Sequence, residues 1–123
     1  MIRIEPIIGV KDVEKSSKWY QNLLGCNSSH GGDTFEMLTD PGGTVILCLH
    51  KWGEHDHPTL TAPLPKPGNG LILYLRVEDL ATTWENAQRL GAEIEVPPRK
   101  NDNSGKEEFA VRDLDGYYLL ISL

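Results

Sequence analysis

The segment LHKWGEHDHPTL, Leu49 to Leu60, carries His50, His55 and His57, three of the chain's four histidines, with Glu54 and Asp56 among them. Imidazole and carboxylate are the ligand types that first-row metal ions favour. In an extended segment His55 and His57 point to the same side, and His50 lies a few residues upstream. The residue types are right for metal chemistry. Whether they act together depends on where the fold puts this stretch.

The chain bounds the answer first. At 123 residues it is one domain by length and can bury a core without disulfide or metal staples. Its 39% apolar and 24% charged residues are those of an ordinary globular protein rather than a disordered one. A net charge of −6 argues against nucleic acid and anionic membrane surfaces as partners and is compatible with a cationic ligand. Cys26 and Cys48 form no C-x-x-C motif and read as small buried hydrophobes. Glu5, Lys11, Asp12 and Glu14 stand where a signal peptide would need an apolar core. The longest apolar runs, VILCL and LILYL, are strand-sized. The expected location is the cytoplasm.

The elements that must position any site show themselves by repetition. VKDVEKSSKWYQNLLG (Val10 to Gly25) matches VEDLATTWENAQRLG (Val77 to Gly91): V-x-D-aliphatic, a helical stretch, then Leu-Gly. Asp12 and Asp79 suit N-caps, and Gly25 and Gly91 suit the residue that closes a helix. Val13, Tyr20 and Leu24 form the apolar face of the first helix, weakened by Ser16 and Ser17; Leu80, Trp84, Ala87 and Leu90 form that of the second. After each helix, FEMLTDPGGTVILCL (Phe35 to Leu49) matches FAVRDLDGYYLLISL (Phe109 to Leu123), a strand, a D-x-x-G turn and a strand. IRIEPIIGV and GLILYLRV supply a strand before each helix, so each half reads βαβββ. The crossover EHDHPTLTAPLPKPGNG, with Pro58, Pro63, Pro65 and Pro67, joins a module of residues 1–52 to one of residues 70–123. Repetition at both helix and hairpin marks an internal duplication.

On VKDVEKSSKWYQNLLG and GKEEFAVRDLDGYYLLI the chain resembles the vicinal oxygen chelate superfamily, the glyoxalase/bleomycin-resistance/dioxygenase family, over nearly its whole length. Its closing G-x-E-F-x-x-R-D-x-D-G is most similar to antibiotic-binding and uncharacterised members. The resemblance implies an α+β fold: two βαβββ repeats forming a curved mixed sheet, helices on the convex face and a pocket on the concave face. Strand alternation separates the faces. Leu71, Leu73, Leu75 and Val77 suit packing under helices, as do Leu119 and Ile121, whereas Ile72, Tyr74, Arg76, Tyr118, Leu120 and Ser122 suit the pocket.

Metal-dependent members, the resemblance implies, hold their ion from the first and last strands of the two repeats. Equal steps from Val10, from Val77 and from the D-x-x-G turns place those positions at Glu5, Leu47, Ile72 and Leu120. Three aliphatic side chains and one carboxylate cannot hold a divalent ion against water, and a slip of one residue adds at best a thiol. No metal and no cofactor is therefore expected, and no catalytic residue is assigned. His50, His55 and His57 lie at the strand's end and on the crossover, away from these positions, and read as a solvated, pH-responsive segment rather than a metal site.

The expected ligand-binding residues are Glu5, Ile7, Leu47, Leu49, Trp52, Ile72, Tyr74, Tyr118 and Leu120. For several the plain reading stands beside the functional one. Glu5 is a pocket carboxylate or an exposed residue near a terminus, and Pro6 delays or bulges the first strand. Trp52 reaches into the pocket from a lid or packs at a sheet edge, and Tyr74 and Tyr118 meet a ligand or merely pack. Trp19 and Trp84 are core or dimer contacts, and RKNDNSGKEE is a mobile hairpin loop with its charges in water. The leading function is a small-molecule binding protein of the antibiotic-resistance type that sequesters its ligand without a metal. The alternative is a metal-dependent lyase, isomerase or ring-cleaving dioxygenase using ligands such as His50 with Glu5. A scaffold without a ligand is the third reading. The uncovered edges and faces of four-stranded halves predict a homodimer burying more than about 1,000 Å².

Overall fold

A computed structural model of the chain describes residues 1–123. The chain divides into two compact units, Met1–Pro65 and Lys66–Leu123. The first contains β1 (Ile7–Val10), α1 (Val13–Leu24), β2 (Asn27–Ser28), β3 (Phe35–Thr39) and β4 (Val45–Lys51), and the second β5 (Leu73–Arg76), α2 (Leu80–Arg89), β6 (Glu93–Lys100), β7 (Glu107–Arg112) and β8 (Tyr118–Ser122). Each unit is thus one βαβββ repeat. Its four strands form a mixed sheet, ordered β1-β4-β3-β2 in the first unit and β5-β8-β7-β6 in the second. The first and last strands of each repeat pair in parallel, and the rest of each sheet is antiparallel.

The helices begin and end where local chemistry dictates. Asp12 accepts from the Lys15 amide at 3.0 Å, and Asp79 accepts from the Thr82 amide at 3.0 Å. Each satisfies a first-turn N–H that the helix leaves unpaired. Gly25 and Gly91 follow the helices at φ 70° and 64°, the left-handed region that costs a side chain and not a glycine. The buried stripe of α1 is Val13, Ser16, Ser17, Trp19, Tyr20 and Leu23. Leu23 rather than Leu24 is its apolar member, and the serines belong to it because Ser17 donates to a buried carboxylate, that of Glu36, at 2.9 Å. On α2, Leu80, Thr83 and Ala87 are buried, and Trp84 meets Phe109 edge-on at 5.1 Å.

Strand β1 starts late, at Ile7, because Pro6 has no N–H to give; its carbonyl still accepts from Cys48 at 2.8 Å. In the second unit Pro97 and Pro98 fall within the edge strand β6, at the register shift between Val96 and Arg99 in its pairing with β7. The charged stretch beyond is the expected hairpin: Arg99 and Lys100 complete β6, Asn101 accepts from the Asn103 amide at 2.8 Å, and Glu107 opens β7. No helix is long and apolar enough to cross a membrane.

Which face each strand residue takes follows from the register. In the second unit Tyr74 pairs with Leu120, Arg112 with Tyr118, and Leu73 with Leu119. Phe109, Leu119 and Ile121 are fully buried on the side of α2, so Tyr74, Arg76, Tyr118 and Leu120 occupy the opposite, open face. The first unit departs from this pattern. Its turn, Asp40 to Thr44, matches Asp113 to Tyr117 hydrogen bond for hydrogen bond. The pairing then slips between Leu38 and Thr39: Thr39 faces Val45, but Leu38 faces Leu47. One extra residue on β4 reverses its parity from there on. Leu38, Leu47 and Leu49 lie on the α1 side, at 0%, 1% and 0% exposure. Leu47 and Leu49 therefore do not face the pocket side as expected; Cys48 and His50 do, alongside Ile7 and Gly9.

Candidate functional site

The reversed parity of β4 puts His50 on the open face of the first sheet, with Phe35 directly opposite on β3 and Gly9 on β1. His50 is 2% exposed. Its Nδ1 lies 2.8 Å from the Lys51 carbonyl, which can only accept, so Nδ1 carries the proton and donates it. The Nε2 lone pair then points away from the backbone, and it lies 3.2 Å from His55 Nδ1.

The crossover is held back over the sheet by its own geometry. The Gly53 amide donates to the Leu60 carbonyl, and the Leu60 amide to that of His57, closing residues 53–60 into a compact loop whose end, Leu60, is buried. Within it His55 and Asp56 adopt φ 60° and 53°, the only non-glycine residues of the chain with positive φ. Two such residues in succession cost about 1–2 kcal/mol each and reverse the chain sharply. The loop enters over Trp52, whose indole lies on Gly9 so closely that a Cβ there would come within 2.6 Å of the ring. Trp52 is thus a half-buried plate on the open face, anchoring the loop.

The consequence is convergence. One nitrogen from each of His50, His55 and His57 lies within 4.8 Å of the others. The ring planes cross at 84–86°, with centroids 5.2 Å apart for His50 and His55 and 4.8 Å apart for His50 and His57. The segment expected to be solvated and apart from any site instead forms one wall of a pocket of about 420 Å³. The other walls are Ile7, Phe35 and the segment His30 to Thr34, so all four histidines line it. Phe35 stands between His30 and His50, meeting each ring edge-on at 5.2 and 6.1 Å.

A buried carboxylate supports the far wall. Glu36 is 3% exposed and lies on the α1 side of β3. Its Oε1 accepts from the amides of His30, Gly31 and Met37, and its Oε2 from the hydroxyls of Ser17 and Ser28. Burial alone would raise its pKa; the Gly31 amide, the two serine hydroxyls and the His30 amide outweigh it and hold the carboxyl below the usual range. Glu36 thereby fixes the His30–Gly31 backbone to both α1 and β3. His30, Phe35 and Glu36 escaped the reading of the sequence; the one available signal was a lone acid among apolar residues in FEMLT.

The remaining expected residues fall as follows. Glu5 is exposed ahead of β1 and lies 3.7 Å from Arg3. Ile7 is half exposed and lines the pocket. In the second unit Ile72 and Tyr74 are exposed, and Tyr118 and Leu120 half-buried. The guanidinium of Arg76 lies 5.1 Å from the ring centre of Tyr74, and that of Arg112 5.0 Å from Tyr118, so both tyrosines present cation-covered faces.

The arrangement resembles known folds throughout. TioX from Micromonospora sp. ML1 is 18% identical, with 98% of each chain covered and a TM-score of 0.74. The hypothetical protein SA1046 from S. aureus is 19% identical, covering 100% of this chain and 94% of the other at a TM-score of 0.78. A glyoxalase-related enzyme from Fulvimarina pelagi is 19% identical, covering 99% and 88% at 0.78. At such identities the likeness is one of fold. No curated protein matches the sequence. The family model described as Glyoxalase/Bleomycin resistance protein/Dioxygenase superfamily matches residues 3–121. With its two βαβββ repeats and that match over nearly every residue, the chain belongs to the glyoxalase/bleomycin resistance protein/dioxygenase superfamily.

Proposed function

We infer that the chain is a small-molecule binding protein of the bleomycin-resistance type, which holds an organic ligand, antibiotics among the class, and releases it unchanged. The observation that carries this reading is the open pocket over the first sheet. At about 420 Å³ it is the size of a small organic ligand's site, and it combines the apolar Ile7 and Phe35 with a ring of imidazoles. Trp52, and in the second unit Ile72, Tyr74, Tyr118 and Leu120, offer further apolar and aromatic surface on open sheet faces. The net charge of −6 favours a cationic ligand. Glu5, Leu47, Ile72 and Leu120, the positions at which the family resemblance would place a metal, do not supply a ligand set for one; Leu47 is moreover buried on the α1 side. Two unpaired, buried cysteines suit a reducing compartment, and we assign the protein to the cytoplasm.

A panel of cationic aromatic compounds, screened by thermal shift and tryptophan fluorescence, tests this. The expected result is saturable binding of at least one class, with the compound recovered intact by mass spectrometry. Turnover of the bound compound would instead favour a lyase, isomerase or dioxygenase.

A further inference from the structure

The three-histidine wall of the pocket does more than shape it. We propose that His50, His55 and His57 bind one borderline first-row divalent ion, zinc foremost, at a site separate from the strand positions tested above.

Four features of the cluster carry the inference. The first is donor identity: three imidazoles are the ligand type shared by zinc, copper and nickel, and a set of three nitrogens leaves a fourth tetrahedral position open. The second is spacing. Ligand nitrogens on a tetrahedral ion at 2.0–2.1 Å stand about 3.3 Å apart, and His50 Nε2 and His55 Nδ1 are 3.2 Å apart. The whole set lies within 4.8 Å, so closing on an ion requires only a short swing of the exposed His57 ring.

The third is protonation. A metal-bound histidine characteristically gives its other ring proton to a carbonyl or carboxylate, which fixes the tautomer and aims the lone pair. His50 does this already: Nδ1–H donates to the Lys51 carbonyl at 2.8 Å, leaving Nε2 unprotonated with its lone pair facing His55 Nδ1. Without an ion His55 Nδ1 must carry a proton to donate to His50 Nε2. Moving that proton to the other nitrogen of the exposed His55 ring frees a second lone pair. The fourth is the backbone. Left-handed φ at both His55 and Asp56 turns the loop so that His55 and His57 face His50, and such strain persists where surrounding contacts over-determine it. The closures at Gly53 and Leu60 and the Trp52 plate supply those contacts.

Ring-on-ring packing alone accounts less well for the arrangement. Edge-to-face packing sets the ring centroids 4.8–6.4 Å apart but does not by itself bring a nitrogen of each ring within 4.8 Å of the others. His30 serves as the internal control, since it lines the same pocket but lies outside the converging set. The ion would sit at the pocket wall with its open position available to a water or an anionic ligand oxygen. The inference uses the pocket proposed above but not its organic ligand, and a metal titration separates the two.

The test is a titration of untagged, chelator-stripped protein with Zn²⁺ against a chromophoric competitor, repeated with Co²⁺ for its visible absorption. One equivalent of zinc and intense tetrahedral cobalt bands are expected. His55→Ala and His57→Ala alter exposed residues and leave the fold intact by circular dichroism; each should weaken zinc at least about tenfold. His30→Ala should keep wild-type stoichiometry and affinity. Less than one equivalent bound at micromolar zinc, or wild-type affinity in both His55→Ala and His57→Ala, overturns the proposal. Loss of binding in His30→Ala with those two unaffected overturns it equally.

Discussion

His50 and His55, five residues apart in the chain, face each other nitrogen to nitrogen at 3.2 Å, while the opposite nitrogen of His50 is committed to the Lys51 carbonyl. This fixes His50 as the Nδ1–H tautomer in the neutral protein. Long-range ¹H–¹⁵N correlation spectra of the histidine rings should show a protonated Nδ1 and a bare Nε2 for His50. An Nε2–H tautomer would contradict the arrangement.

Glu36 is predicted to be a pH-sensitive clamp on the pocket wall. Its carboxyl is held below the ordinary range, so its ionised form stabilises the fold. That contribution is complete above the unfolded-chain value of about 4.3 and is lost as pH falls through the lower folded value. Glu36→Gln leaves amide and hydroxyl donors poorly matched and should cost about 1–3 kcal/mol at neutral pH. Urea unfolding from pH 7 to pH 3 checks both: the variant should be weaker at pH 7 and converge on the wild type in acid. Equal stability at pH 7 would count against the clamp.

Gly9 and Trp52 are predicted to be interdependent. A side chain at Gly9 meets the indole at 2.6 Å, so Gly9→Ala must displace Trp52 and the loop that it anchors. Overpacking of this kind costs about 1–3 kcal/mol. A red-shifted tryptophan emission in Gly9→Ala, absent in Gly9→Ala/Trp52→Phe, is the expected signature.

Both thiols should be inert in the folded protein. Burial pushes the Cys26 thiol up to about 11, with Glu36 adding to it against a backbone hydrogen bond, and burial with Glu5 and Glu36 raises Cys48. Native protein at pH 8 should resist iodoacetamide and react at both positions once unfolded in urea. Rapid native alkylation of Cys26 would be inconsistent with its placement.

These particulars show what the sequence reveals and what it conceals. Helix ends were legible because caps are local chemistry: Asp12 and Asp79 reach amides three residues on. The repeat was legible because both turns need the same residues at the same offsets. The faces of β5 and β8 followed from alternation alone, but those of β4 did not. A bulge leaves the turn sequence unchanged and still exchanges every later residue between faces, which sent Leu47 and Leu49 beneath α1 and brought His50 to the pocket. The histidine cluster was hidden for a related reason. It depends on positive φ at two successive non-glycine residues, His55 and Asp56, and on a closure between Gly53 and Leu60 that spacing does not record.

Self-association is the fifth expectation. Ile7 and Tyr74 are about half exposed on open sheet faces, and Ile72, just ahead of β5, is exposed beside them in sequence, a surface that a partner subunit would cover. Sedimentation equilibrium at micromolar concentration should give about twice the 13.7 kDa chain mass. A single species at the chain mass would exclude the dimer.

Ligand binding in the pocket over the first sheet is open to backbone NMR. Assigned ¹H–¹⁵N spectra would be recorded while the tightest-binding compound of the cationic aromatic panel is titrated in. Saturable shifts concentrated at Ile7, His30 to Phe35 and His50 to His57 are expected. The absence of any saturable binder, or shifts that leave those three segments untouched, would contradict it.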